Sequence, residues 1–124
     1  MAAKTEYSAL QAFITRDGSQ IRELMHPQQH ADEHSVHAQS LAEARVPVGS
    51  QTQLHRHHSS EELYHIAAGT GMMTLADKRF KVTSGDTVCI PPATPHCIEN
   101  TGDEELVILC CCSPAYADED TELL

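Results

Sequence analysis

From Ser40 onward the chain alternates short apolar runs with polar, glycine- or proline-marked breaks. Leu41–Val48 alternates weakly and ends at Pro47-Val48-Gly49. Glu62–Ala68 reads as a strand that stops at Gly69-Thr70-Gly71. Met72–Leu75 and Phe80–Val82 flank Ala76-Asp77-Lys78-Arg79, which predicts a hairpin. Ser84-Gly85-Asp86 is a turn, Thr87–Ile90 a strand, and Pro91-Pro92-Ala93-Thr94-Pro95 a stiff connection. His96–Asn100 and Glu105–Cys112 are the last strands, separated by the turn Thr101-Gly102-Asp103-Glu104. Many short strands at close spacing, with almost no 3.6-residue periodicity, predict an all-β sandwich or barrel.

The two ends read differently. Ser8 to Met25 mixes apolar and polar residues around the turn signal Arg16-Asp17-Gly18-Ser19, and one short helix is expected near Ser19–Leu24. A polar stretch containing His26, His30, His34 and His37 follows. We therefore divide the chain into an N-terminal arm or lid (1–39), a barrel (40–113) and a loosely held acidic tail (114–124). The arm is expected to pack on the barrel or on a partner.

Composition narrows the field. At 124 residues one domain is expected, long enough to bury a core without disulfides. Asp and Glu outnumber Lys and Arg by 18 to 8, a net charge of −10, which disfavours nucleic acid and anionic membranes as partners. The N-terminus shows no signal-peptide pattern, and the five cysteines show no CxxC spacing, so reduced thiols in a cytoplasmic protein are expected. There is no Trp, so the core must rest on aliphatic and thiol side chains.

Nine histidines are many for this length. His55 and His57 are two residues apart, and on a strand that spacing puts both imidazoles on one face. A carboxylate follows after a short loop, and His96 begins a later strand behind a proline-stiffened turn. Two His at period two, a carboxylate and a distant third His form a first shell for a divalent metal. Strand alternation leaves open whether Glu61 or Glu62 faces inward.

The wider spacing carries a family resemblance. Gly49, His55, His57, Glu62 and Gly69, with gaps of five, one, four and six residues, resemble the first cupin motif. Gly85, Pro91, Ala93, His96 and Asn100 resemble the second, with Ala93 standing where that motif has Gly. Ala at that place implies a backbone angle that Ala can reach. The resemblance covers Leu41 to about Cys112, with 15 residues between the motifs. It implies a double-stranded β-helix, or jelly roll, with a metal in the barrel mouth. It also maps the family's ligands onto His55, His57, Glu62 and His96, the count back from Gly69 selecting Glu62.

That ligand set resembles those of cupin dioxygenases, oxalate-type decarboxylases and some sugar isomerases. Thiol dioxygenases usually lack the carboxylate. The expectation is one divalent ion (Fe, Mn, Ni, Cu or Zn) and a metal-dependent enzyme on a small oxygen-rich metabolite, dioxygenase chemistry slightly ahead of isomerase or lyase chemistry. The alternative is a non-catalytic module that binds a small molecule or metal. Tyr64, on Glu62's face, is the candidate catalytic residue, with His58 or His65 at the rim. Cys110, Cys111 and Cys112 alternate faces along an apolar strand, cannot jointly hold one ion, and are expected to pack. The arm histidines are read as a solvated segment rather than a second metal site. An isolated barrel leaves edge strands to cover, so a homodimer is expected. Light scattering should give twice the chain mass, and deletion of the first 38 residues should give monomer or aggregate; a full-length monomer would end this expectation.

Overall fold

The computed structural model describes residues 4–31 and 36–124. Among the described residues eleven strands run in chain order: β1 (Phe13–Ile14), β2 (Gln20–Met25), β3 (Ser40–Val46), β4 (His55–His57), β5 (Glu61–Ala68) and β6 (Thr70–Leu75) come first. β7 (Lys78–Thr83), β8 (Thr87–Ile90), β9 (His96–Asn100), β10 (Leu106–Ser113) and β11 (Thr121–Leu123) complete them. They form two antiparallel sheets, ordered β1-β2-β3-β10-β5-β8 and β11-β4-β9-β6-β7. This is the jelly roll that the resemblance implies. No helix of the described residues is long and apolar enough to cross a membrane.

Period-two burial sets which side chains line the interior. Ala42, Ala44 and Val46 on β3 face inward with Leu106, Ile108, Cys110 and Cys112 on β10 and Tyr64 and Ile66 on β5. Ile98, Met73 and Val82 close the core from the second sheet. With two Ala and two Cys among its inward positions, the first sheet is aliphatic and thiol-rich but short of bulk at one end, and there the functional site sits. Cys111 alternates outward and is half-buried.

Three elements differ from the sequence reading. The helix expected near Ser19–Leu24 is strand β2, antiparallel to β3. Its residues alternate, with Ser19 and Glu23 buried and Gln20 exposed, so pairing to an open edge outweighs the helical preference of Arg-Glu-Leu-Met. The Ala76–Arg79 turn shrinks to Ala76-Asp77, because Lys78 and Arg79 pair with Leu75 and Thr74. The acidic tail is tied down: β11 pairs with β4, Thr121 opposite His57 and Leu123 opposite His55.

Asn100 holds the turn before β10. Its Nδ2 donates to the carbonyls of Val46 and Glu104 at 2.9 Å each, and its Oδ1 accepts from the Gly102 amide at 2.9 Å. Gly69 has φ +90°, and a Cβ there would lie 2.9 Å from the Glu105 carbonyl oxygen. Both the backbone angle and the contact forbid a side chain. Gly69→Ala should therefore destabilise the fold by about 3 kcal/mol in denaturant unfolding, summing left-handed strain and overpacking. A loss below about 1 kcal/mol would mean that the β5–β6 corner relaxes easily.

Candidate metal centre

β4 presents His55 and His57 to the interior, 2% and 5% exposed, because they are two residues apart on one strand. β9 brings His96 directly opposite His55 in the ladder, fully buried. One ring nitrogen from each imidazole lies within 4.8 Å of the others. Glu62 reaches in from the other sheet, its Oε1 3.3 Å from His57 Nε2 and 3.5 Å from His96 Nε2. Glu61 is exposed.

Hydrogen bonds on the far side of each ring fix how it points. His55 Nδ1 donates to the Gln53 carbonyl at 2.7 Å, and His96 Nδ1 to the Thr94 carbonyl at 3.0 Å. His57 Nδ1 lies 3.0 Å from Thr121 Oγ1, whose own proton goes to the Ala117 carbonyl, so this ring too is the donor. With Nδ1–H committed in all three, the neutral rings carry their lone pairs on Nε2, toward the cluster. Fixing tautomer and orientation in this way is how proteins prepare imidazole ligands.

The cluster passes a test of fit for a cation. Among the described residues, Glu62 Oε1 and His96 Nε2 are buried without a hydrogen-bond partner. The 3.3 and 3.5 Å approaches are longer than well-formed hydrogen bonds. Unpaired buried acceptors are costly unless something satisfies them, and three imidazole nitrogens with a carboxylate suit a divalent transition metal. The ring mouth is stiffened from outside. Ala93, at φ 63°, lies in the left-handed region, which Ala reaches at a cost of about 1–2 kcal/mol. Its amide donates to the His57 carbonyl at 2.7 Å.

Charge follows geometry. Burial alone would raise the Glu62 carboxyl, but His57 and His96 beside it outweigh burial and hold its pKa at about 2. Burial would lower His57, yet Glu62, with Asp120 and Asp17 further off, raises it above 6.5. His55 is lowered, by burial first and by His96 next. Tyr64 lines the same cavity, its ring centroid 5.8 Å from that of His96, and burial followed by the Glu62 charge keeps its hydroxyl protonated.

Several neighbours were not singled out as site residues in the sequence. Thr121 orients His57. Asp120 accepts from the amides of Ser59 at 3.0 and 3.1 Å and Ser60 at 3.2 Å, holding the loop that carries Glu62. Cys112 donates its thiol to Glu62 Oε2 at 3.3 Å, a polar contact added to the packing role expected of it. Asp17 and Glu23 also line the cavity. An Asp-Gly turn signal or an acidic tail does not say which side chain will turn inward. His58 and His65 lie outside the cluster, exposed, beside Glu122 and Thr87 respectively. His26 is buried and its Nε2 donates to the Tyr116 carbonyl at 2.7 Å, so this arm histidine is not solvated. His34 lies outside the described residues.

Known proteins resemble this chain in sequence and fold. Residues 42–112 match the family model described as Cupin domain. An uncharacterized protein of Methanocaldococcus jannaschii is 55% identical over 98% of this chain and 94% of its own length. An oxalate-binding protein of Thermotoga maritima is 33% identical, over 58% of this chain and 60% of its own length. The Lactobacillus farciminis oxalate decarboxylase formate complex superposes on 94% of this chain with a TM-score of 0.79 at 22% identity, a likeness of fold. This chain spans 34% of that decarboxylase.

The paired shifts predict a pH window. His57 is raised, so its pairing with Glu62 stabilises the metal-free fold fully below about pH 6.5 and fades as pH rises through the raised value. Glu62 is lowered, so its share is full above about pH 4.5 and fades as pH falls toward 2. The melting-temperature gap between metal-free wild type and Glu62→Gln should be widest between these limits and narrow at pH 8. In metal titration at pH 7.5, Glu62→Gln should weaken binding more than Glu61→Gln. The reverse order would move the carboxylate role to Glu61.

Proposed function

Because this chain belongs to the cupin domain family, we propose that its buried cluster holds one divalent metal ion and acts on a small organic acid. His55, His57, Glu62 and His96 are the ligands of this reading. Three neutral imidazoles and one carboxylate leave a bound divalent ion a net charge of +1, and the ion supplies a Lewis acid. The observation that carries the reading is the size of the cavity around the cluster. That cavity has a volume of about 40 Å³. One water needs about 15 Å³ on that measure, so the space suits a ligand of a few non-hydrogen atoms. So small a volume favours a short acid over a sugar ring, and with it oxygen-dependent or carbon–carbon-cleaving chemistry over sugar isomerisation.

The chain's own residues have distinct tasks in this reading. Tyr64, protonated and facing the cavity, donates a hydrogen bond to a ligand oxygen. The apolar wall of Ile98, Ile108 and Val46 excludes water. A second reading, a module that binds a small acid without turning it over, draws support from the name of the Thermotoga maritima relative.

Metal analysis of the purified protein comes first. The loaded protein is then incubated with two- to four-carbon acids and diketones, while O₂ uptake and CO₂ or formate release are followed. Turnover supports the enzyme reading, and saturable binding without turnover supports the module. Tyr64→Phe should weaken acid binding about tenfold, the worth of one buried hydrogen bond. Protein that neither retains nor takes up a divalent ion would overturn both readings.

A further inference from the structure

The Asp17 side chain belongs to the turn between β1 and β2, yet it lies against the metal cluster. Its Oδ1 is saturated. It accepts from Thr15 Oγ1 at 2.7 Å, from the Ser19 amide at 3.0 Å and from Ser19 Oγ at 2.7 Å. The same turn is tied to β4's approach, because the Gln53 amide donates to the Asp17 carbonyl at 2.8 Å. The Gln53 carbonyl in turn accepts from His55 Nδ1 at 2.7 Å. One residue, Gln53, therefore holds both Asp17 and His55 in place. Asp17 Oδ2 has no hydrogen-bond partner among the described residues, and it stands 3.6 Å from His55 Nε2.

That separation has a meaning. Two atoms bound to one ion at about 2.1 Å lie about 3.0 Å apart at a right angle and about 3.4 Å apart at a tetrahedral angle. Glu62 Oε1 stands 3.3 and 3.5 Å from the nitrogens of His57 and His96. Asp17 Oδ2 has nearly the same relation to His55, on the imidazole that Glu62 does not pair with. Asp17 is itself buried, 9% exposed, among cavity-lining residues. An Asp whose one oxygen takes three donors is built to aim the other.

From this placement we infer that Asp17 is a fifth protein ligand of the metal centre, supplying its Oδ2 from the N-terminal segment. The inference rests on the reading of the cluster as a metal site and extends it. With two carboxylates, a bound divalent ion would become neutral. The N-terminal segment is then part of the centre: the barrel of residues 40–113 lacks one ligand.

The test is metal titration of the full chain, metal-free, with Co²⁺ or Zn²⁺ against a chromophoric chelator. Asp17→Asn keeps size and the Oδ1 acceptor and should weaken binding about a hundredfold, the upper end of what even indirect partners of a metal contribute. Asp103→Asn, at an exposed aspartate in the turn between β9 and β10, should leave affinity unchanged. A second measurement needs no variant. In wild type carrying ¹³C only at aspartate carboxyls, the infrared difference between Zn²⁺-bound and metal-free protein should contain aspartate carboxylate bands. Wild-type affinity in Asp17→Asn, or a difference spectrum without aspartate bands, overturns the fifth ligand while leaving the four-residue site standing. Wild type that binds neither ion overturns the site and the inference together.

Discussion

Three imidazoles and a carboxylate share one small, buried interior space, and the rest of the structure answers the electrostatic demand they make. Buried polar atoms are tolerated when each is paired. Here each ring's Nδ1 is paired, to Gln53, Thr121 and Thr94, and only the inward atoms are left over. The leftover atoms are those a cation would satisfy. In the metal-free protein, the raised His57 and lowered Glu62 meet part of the same demand by sharing charge.

The barrel and the two chain ends divide the work. The ladder pairing of His55 with His96 puts two of the imidazoles side by side without help from any loop. His57 and Glu62 depend on the C-terminal segment, through Thr121 on one ring nitrogen and Asp120 on the amides of the Ser59-Ser60 loop. Residues 13–25 close the opposite side, where Asp17 and Ser19 line the cavity. Both ends are held to each other by His26 on the Tyr116 carbonyl and by Arg16 with Asp118 at 2.9 Å.

Packing explains why there is a cavity at all. The inward positions of β3 and β10 near the cluster are Ser40, Ala42, Cys110 and Cys112, side chains too short to reach the opposite sheet. Larger residues at Val46, Leu106 and Ile108 fill the far end of the barrel. Thiols suit the near end because they are small, apolar enough to bury, and able to donate weakly, as Cys112 does to Glu62. Burial raises the Cys110 thiol well above its usual range, and Glu62 adds to this, so it stays neutral beside the carboxylate.

Much of this protein was determined by local sequence. Strand alternation and turn residues set the barrel strands to within a residue or two, since a side-chain period of two and glycines at positive φ are properties of short segments. The His-x-His pair and His96 were legible for the same reason. The choice between Glu61 and Glu62 was open on alternation alone, because only the packed sheet says which face is inside. The segment around Ser19–Leu24 carried a helical composition, and an unpaired edge of β3 made it a strand. The acidic tail became β11 because β4 offered it an edge. Asp17, Thr121 and Asp120 could not be read as site residues, since each reaches the cluster across a long stretch of sequence. Which turn closes on which strand is settled by the free energy of the assembled barrel, and no local pattern records it.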